Sequence, residues 1–339
     1  AGGASLAAAK FLKDIMLEKN IKGSFGLGGI TGYIGGRGTL DNCYNRASVQ
    51  GVSFVGGLVG MGGWVAVSNC YNTGAISSYG YVGGIAGACG QSNSYNEGTI
   101  IGEKYVGGIS GSMSLLEGTS TQCINKGEFE ISAPSMQAVG GVVGGIVDGA
   151  GGAPSPAEVD GCTNIVPISL NVGKKAGSSG LDGFYLGGIV GSIDAQNESL
   201  LVNAVRNCRN TGNLYATLSY DAESNNAIKV GGICGNTRGP ASVEGNENTA
   251  ESVILENAKA AKMLCSAGGI IGEAGDPWNS EETAISLQNN INRASVLSRT
   301  NVGETPAGGL VGYLYGPVTA SGNRNFGDVE RGAQGAHGH

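Results

Sequence analysis

Histidine is almost missing from this chain: there are two, His337 and His339, both within its last three residues. A Ser-His-Asp triad or a Cys-His pair needs an imidazole held inside the fold, so neither is expected. No Cys-x-x-Cys and no His-Glu-x-x-His occurs, which removes the usual zinc arrangements and zinc peptidase chemistry. A phosphate loop of the Gly-x-x-x-x-Gly-Lys-Ser/Thr type is absent, as are an EF-hand loop and a calcium-binding Gly-Gly-x-Gly-x-Asp array. No cofactor, metal or catalytic residue is therefore expected.

Charge is also scarce, with charged residues at 14% and a formal net charge of −7. The densest cationic spot is Lys174–Lys175. Nucleic-acid binding by counterion release needs a basic face, so no nucleic-acid partner is expected. No apolar run approaches the ~18 residues of a membrane helix, and no transmembrane segment is expected. The start, Ala1-Gly2-Gly3-Ala4, lacks the charged and apolar regions of a secretory leader.

Glycine is what the chain has in excess, 64 residues of 339, beside 40% apolar residues. The Gly has no three-residue period, which argues against collagen. It recurs instead as Gly-Gly-aliphatic-x-Gly, nine times, beginning at Gly28, Gly56, Gly83, Gly107, Gly140, Gly187, Gly231, Gly268 and Gly308. A cofactor loop would not repeat in this way. The aliphatic column reads Ile30, Leu58, Ile85, Ile109, Val142, Ile189, Ile233, Ile270 and Leu310.

A second motif follows each copy, clearest as Asn42-Cys43-Tyr44-Asn45 and Asn69-Cys70-Tyr71-Asn72. Its last Asn is present every time, as Asn45, Asn72, Asn96, Asn125, Asn164, Asn210, Asn248, Asn292 and Asn325. Two residues on stands Gly or Ala, except at Val166. The closest copies, Gly83 and Gly107, are separated by about one solenoid coil; the widest gap, Gly140 to Gly187, requires loops outside the coil. The expected fold is all-β, a single-stranded parallel β-helix or solenoid of about nine coils over residues 23–331. Each coil is expected to have three strands, the first running through the Gly-Gly motif. The stacked aliphatics would bury a continuous core, each contributing roughly 1.5–3 kcal/mol when fully buried. Gly, and Asn after it, tolerate left-handed bends. Asn amides can also bond backbone and one another along a structural ladder.

These residues resemble the GLUG motif, a short repeat of bacterial surface and secreted proteins, including regions outside the catalytic domain of IgA-specific metallo-endopeptidases. The resemblance spans residues 26–330; repeats one to four match best, whereas five to eight carry insertions and lose the Tyr. It implies a secreted or cell-surface, adhesin-like protein.

The two ends differ from the repeats. Leu6, Phe11, Leu12, Ile15, Met16 and Leu17 lie at helical spacing with charges between them. An amphipathic helix within residues 1–22 is expected, capping the open first coil. Residues 332–339 read as a flexible tail. Five of the eight cysteines, Cys43, Cys70, Cys123, Cys162 and Cys208, share one repeat position and are expected as small, buried, reduced residues.

One candidate ligand-binding ridge emerges from the alignment of repeats: Asp148, Asp194, Arg238 and Asp276 fall just beyond the Gly motif in repeats five to eight, with Trp278 beside the last. Acidic clusters suit carbohydrate or calcium binding, or acid–base hydrolysis; a solvated turn gives the same residues. Trp64, Tyr215 and Tyr220 are further aromatic candidates for sugar stacking. The expected function is non-catalytic binding of a glycan or protein on a host or microbial surface through loops of repeats five to eight. A filament built by head-to-tail homo-oligomer contacts is the first alternative, a polysaccharide-acting enzyme the second.

Overall fold

A computed structural model describes residues 12–13, 16–17, 19–36, 38–63, 65–114, 118–131, 137–147, 156–172, 183–194, 202–218, 228–257, 265–275, 284–300 and 305–332. Among them every regular element is a β-strand, and every pairing is parallel between successive coils. The chain is a parallel β-solenoid.

One coil contains five short strands rather than three. In coil two they are Ser53–Gly56, Val59–Gly62, Val65–Ser68, Tyr71–Asn72 and Ile76–Ser78. Stacking gives a first and a second sheet of nine strands each, a third and a fourth of ten each, and a fifth position divided into two sheets of five. The division falls between Phe129–Ile131 and Ile168–Val172, in the coil that carries the exceptional Val166.

The Gly-Gly pair sits at the bend between the first and second strands: its first Gly ends the first strand and its second lies outside both. Their sheets pack back to back. A Cβ on Gly235, in the second sheet, would meet the Leu186 backbone N of the first sheet at 2.7 Å. Side chains on the far faces build two cores instead of one. Leu58, Val59, Val67 and Cys70 belong to the core under the second, third and fourth sheets; Val49, Val55, Ile76 and Val82 belong to the core between the fifth and first. The aliphatic column of the Gly motif lies in the former, fully buried from Leu58 to Ile270 and partly exposed at Ile30 and Leu310.

Glycine is required here mostly for close approach. A Cβ on Gly188 would lie 2.1 Å from Gly232 O and 2.4 Å from Asn210 Cγ. The second Gly of one motif is thus packed on the Asn of the other. Left-handed backbone occurs elsewhere, at the first residue of the second motif. Asn42, Asn69, Asn93, Gln122, Gly161, Asn207, Gly245, Asn289 and Gly322 all have φ between 46° and 66°. This corner between third and fourth sheets explains why that column is mostly Asn or Gly. The invariant Asn column, by contrast, sits in the fourth strands without positive φ.

The expected N-terminal helix is corrected at the described positions. Leu12–Lys13 and Met16–Leu17 are strands, paired in parallel with Gly38–Asp41 and Tyr44–Asn45. Helical spacing in a short window competed with two-residue strands joined by bends, and stacking on the next coil favours the latter. These strands, with Ile21–Lys22, form a partial rung before coil one. Residues 1–11 of the expected helix, and the tail after 332, lie outside the described residues.

Candidate functional site

The Asn column is internally complete. Asn45 Nδ2 donates to Asn72 Oδ1 at 2.7 Å, and the same bond recurs between each pair of successive members through Asn292 to Asn325 at 2.8 Å. Asn45 to Asn292 are fully buried. Their amides bond their own corners as well, as when Asn72 donates to Gly74 O at 2.8 Å and accepts from Gly74 N at 3.2 Å. A column so saturated has no valence left for a ligand.

The cysteines form a parallel column. All eight are buried and none is in a disulfide. Burial pushes the Cys70 and Cys89 thiols up to about 12. The position is more than apolar. Cys123 N donates to Cys162 Sγ at 3.4 Å, as Cys70 N does to Ser94 Oγ at 3.1 Å and Cys208 N to Asn246 Oδ1 at 2.9 Å. In the last coils Asn246, Asn290 and Asn323 continue as a second amide ladder.

The chemistry lies elsewhere, in the seam between the first and second sheets. The seam-facing column of the first sheet reads Tyr81, Tyr105, Ala138, Tyr185, Lys229 and Ser266. Opposite it the second sheet reads Ala88, Ser112, Gly145, Ser192, Asn236, Glu273 and Tyr313. Early coils fill the seam with stacked rings: Phe54 on Tyr81 at 4.5 Å, Tyr81 on Tyr105 at 4.7 Å. Tyr105 covers Gly145 of the following coil, where a Cβ would meet its ring at 2.7 Å. Each seam-facing side chain of the first sheet therefore lies against the second sheet one coil on.

From coil six the filling becomes polar. Lys229 Nζ bonds Glu273 Oε2, with the two residues only 4% and 3% exposed. Asn236, the rung neighbour of Glu273, is fully buried, and neither its Nδ2 nor its Oδ1 has a partner. The Arg238 guanidinium lies 5.9 Å from the centre of the Tyr185 ring. Burial pushes the Tyr185 hydroxyl up to about 12; Arg238 opposes this, and Glu273 and Asp194 add to it. Burial likewise raises Tyr315 to about 12, helped by Glu273 and Tyr313.

Of the ridge read from the sequence, the structure joins two members: Asp194 and Arg238 are register partners at the end of the second sheet. The position beside Asp194 in coil five is Val147, not Asp148, so the ridge is not one continuous column. Asp148, Asp276, Trp278, Trp64 and Tyr220 lie outside the described residues. The Tyr215 hydroxyl donates to Glu256 at 2.8 Å. Among the described residues no three His, Cys, Asp or Glu gather as a metal site, and no helix is long and apolar enough to cross a membrane.

Lys229 and Glu273 were readable as the only charged residues in their respective columns. The sequence does not show that the two columns face each other. No family model matches the chain, and no curated protein or solved structure matches it.

Proposed function

We propose that the protein is a non-catalytic binding or adhesion module of a secreted or surface-displayed kind, whose solenoid presents loops of coils five to eight to a glycan or protein. One observation carries this reading. The long excursions of those coils leave at two corners only. One lies between the second and third strands, after Val147, Asp194 and Gly275; the other lies before the first strand, after Val172, Leu218, Asn257 and Thr300. Because the first and second strands run out and back across the Gly-Gly bend, both corners border the same edge of the seam. Asp194 and Arg238 stand at that edge, where a ligand reached by the loops would meet a carboxylate, a guanidinium and the Tyr185 ring.

The test is a binding screen of the purified chain against glycans and surface proteins. Replacing residues 219–227 with a short Gly-Ser linker, and Arg238→Ala separately, are each expected to weaken binding at least tenfold with thermal unfolding unchanged. Undiminished binding by both variants refutes the assignment. Release of reducing ends from a glycan, lost in Asp194→Ala, would favour the polysaccharide-acting enzyme instead.

A second reading, end-to-end assembly, is favoured by the last coil, where Leu314, Phe326 and Val329 are 49%, 59% and 44% exposed. Such a face suits one more stacked coil, from this protein or a second copy. Concentration-dependent light scattering with fibres in negative stain would support it, and a monodisperse monomer would refute it.

A further inference from the structure

We propose that Lys229 and Asn236 join through an intramolecular isopeptide bond, formed by the folded chain itself, with Glu273 carrying the protons. Three features of the seam meet at this point. Lys229 is the only cation in its column and is buried, with its amine against the Glu273 carboxylate. Asn236 is fully buried, and its carboxamide has no hydrogen bond at either atom. Asn236 and Glu273 are neighbours across one strand spacing of about 4.8 Å, so an amine that touches Glu273 is within reach of the Asn236 carboxamide.

An ion pair alone accounts for only part of this. A buried Lys–Glu contact satisfies its own two groups and leaves Asn236 unexplained. The buried Asn ladders of the fold are bonded along their rungs, as Asn246 is to Asn290 at 3.0 Å, and the buried Asn203 accepts from Ala157 N at 3.0 Å, whereas Asn236 is bonded at neither atom. An unpartnered amide in a dry interior is costly, and its carbonyl carbon is an electrophile. Tyr185 precedes Lys229 in the same seam-facing column, and its hydroxyl feels the Glu273 charge. Exclusion of water from such a site protects an amine–amide exchange from competing hydrolysis.

The step balances without an oxidant, metal or added reagent. The Lys229 ammonium passes a proton to the Glu273 carboxylate that it touches. The Nζ lone pair attacks Asn236 Cγ, forming the new C–N bond. Glu273 returns its proton to Nδ2 and accepts the next from Nζ. The bond from Cγ to Nδ2 breaks, and ammonia leaves, taking the last proton as ammonium. No atom changes oxidation state. Glu273 ends as the carboxylate it began as, beside a secondary amide between residues 229 and 236. The link spans the Gly231–Gly232 bend and ties the first strand of coil seven to its second.

The sequence supplies a convenient assay. Between Arg209 and Arg238 the only trypsin site is Lys229, and an acylated Lys is not cut. The denatured, digested protein is expected to yield residues 210–238 as one peptide, lighter by one ammonia, with fragmentation placing the link between 229 and 236. Asn236→Ala and Glu273→Gln are expected to have their full sequence mass and to give separate peptides 210–229 and 230–238. Circular dichroism of each variant verifies that it folds; Asn236→Leu, which fills similar volume and has no carbonyl, serves if Asn236→Ala does not. Full recovery of the separate peptides from folded wild-type protein overturns the proposal. So does ammonia loss confined to a single Asn, or loss of water with Lys229 joined to Glu273. A bond that persists in Glu273→Gln overturns the role given to the carboxylate.

Discussion

Asn96 offers the sharpest test of what holds the stack together. Its Nδ2 donates to Gly98 O at 2.9 Å and Asn125 Oδ1 at 3.1 Å, while its Oδ1 accepts from Gly98 N at 3.1 Å and Asn72 Nδ2 at 2.8 Å. Asn96→Ala removes all four bonds. Asn72 and Asn125 each keep a bond to their own corner, but the buried Gly98 N–H loses its acceptor. A buried group left unmet costs about 1–3 kcal/mol, and each ordinary bond lost a further ~0.5–1.5. With one unmet group and three further bonds, the sum is about 2.5–7.5 kcal/mol, a large part of the ~5–15 that folded domains possess. Asn325 is the internal control. It occupies the same column and accepts the same ladder bond, but it is exposed, so water replaces what Asn325→Ala removes and the expected cost is below about 1 kcal/mol. Denaturant unfolding followed by circular dichroism measures the difference. Amide exchange at coils two to four detects local opening, since long repeat arrays need not unfold as one unit. Equal costs at Asn96 and Asn325 would refute the ladder as a source of stability.

Glycine and thiol substitutions probe the rest of the frame. Gly188→Ala places a methyl 2.1 Å from Gly232 O and is expected to cost more than about 3 kcal/mol by denaturant unfolding. Gly63→Ala meets nothing within 4 Å and is expected to stay within ~0.5 kcal/mol; the reverse order would undo the packing argument. With Cys70 and Cys89 raised to about 12 by burial, the native thiols should resist alkylation near neutral pH, where the thiolate is the reactive form. Denaturation without reductant should then expose eight free thiols to mass spectrometry, one for each Cys of the sequence; fewer than five would contradict the cysteine column.

The repeat was legible because each of its columns is fixed by stacking on an identical neighbour. Leu58, Ile85 and Ile109 must agree with one another whatever the shape of the coil. The cross-section was less legible, because Gly56-Gly57 reads equally as part of a strand or as a bend. Only the packing, which would put a Cβ on Gly56 2.1 Å from Val59 O and one on Gly57 2.2 Å from Gly84 O, reveals that close approach, rather than backbone freedom, selects these residues. The same gap hid the polar seam. Asp194 and Arg238 share a column and could be aligned by counting, whereas Lys229 and Glu273 meet across two sheets and between different coils. Leu12 and Met16 misled for a related reason. Two-residue strands separated by bends reproduce helical spacing, and only the preceding rung's pairing with Leu40 and Tyr44 distinguishes them.

The cysteine column separates two physical accounts that the sequence leaves equivalent. If these positions need only a small apolar group, Cys162→Ala or Cys162→Val should be tolerated and Cys162→Ser should be the worst, because it buries a hydroxyl. The geometry argues for the opposite order. Cys162 Sγ accepts from Cys123 N at 3.4 Å and donates to Ser120 O at 3.2 Å. Ser94, two column members earlier, accepts from Cys70 N at 3.1 Å and donates to Ser92 O at 2.8 Å, the place that Asp160 O holds for Cys162 at 3.5 Å. A hydroxyl at position 162 has both partners already in place, so Cys162→Ser is expected within about 1 kcal/mol of the parent. Alanine or valine leaves the Cys123 N–H without an acceptor, at about 1–3 kcal/mol, and valine adds overpacking against Val159 and Val205 of the same core. Unfolding midpoints of the three variants in one denaturant series give the order directly. Serine below both alanine and valine in stability would mean that the column is held by apolar packing alone, and that the hydrogen bonds from one coil to the next contribute nothing at this position.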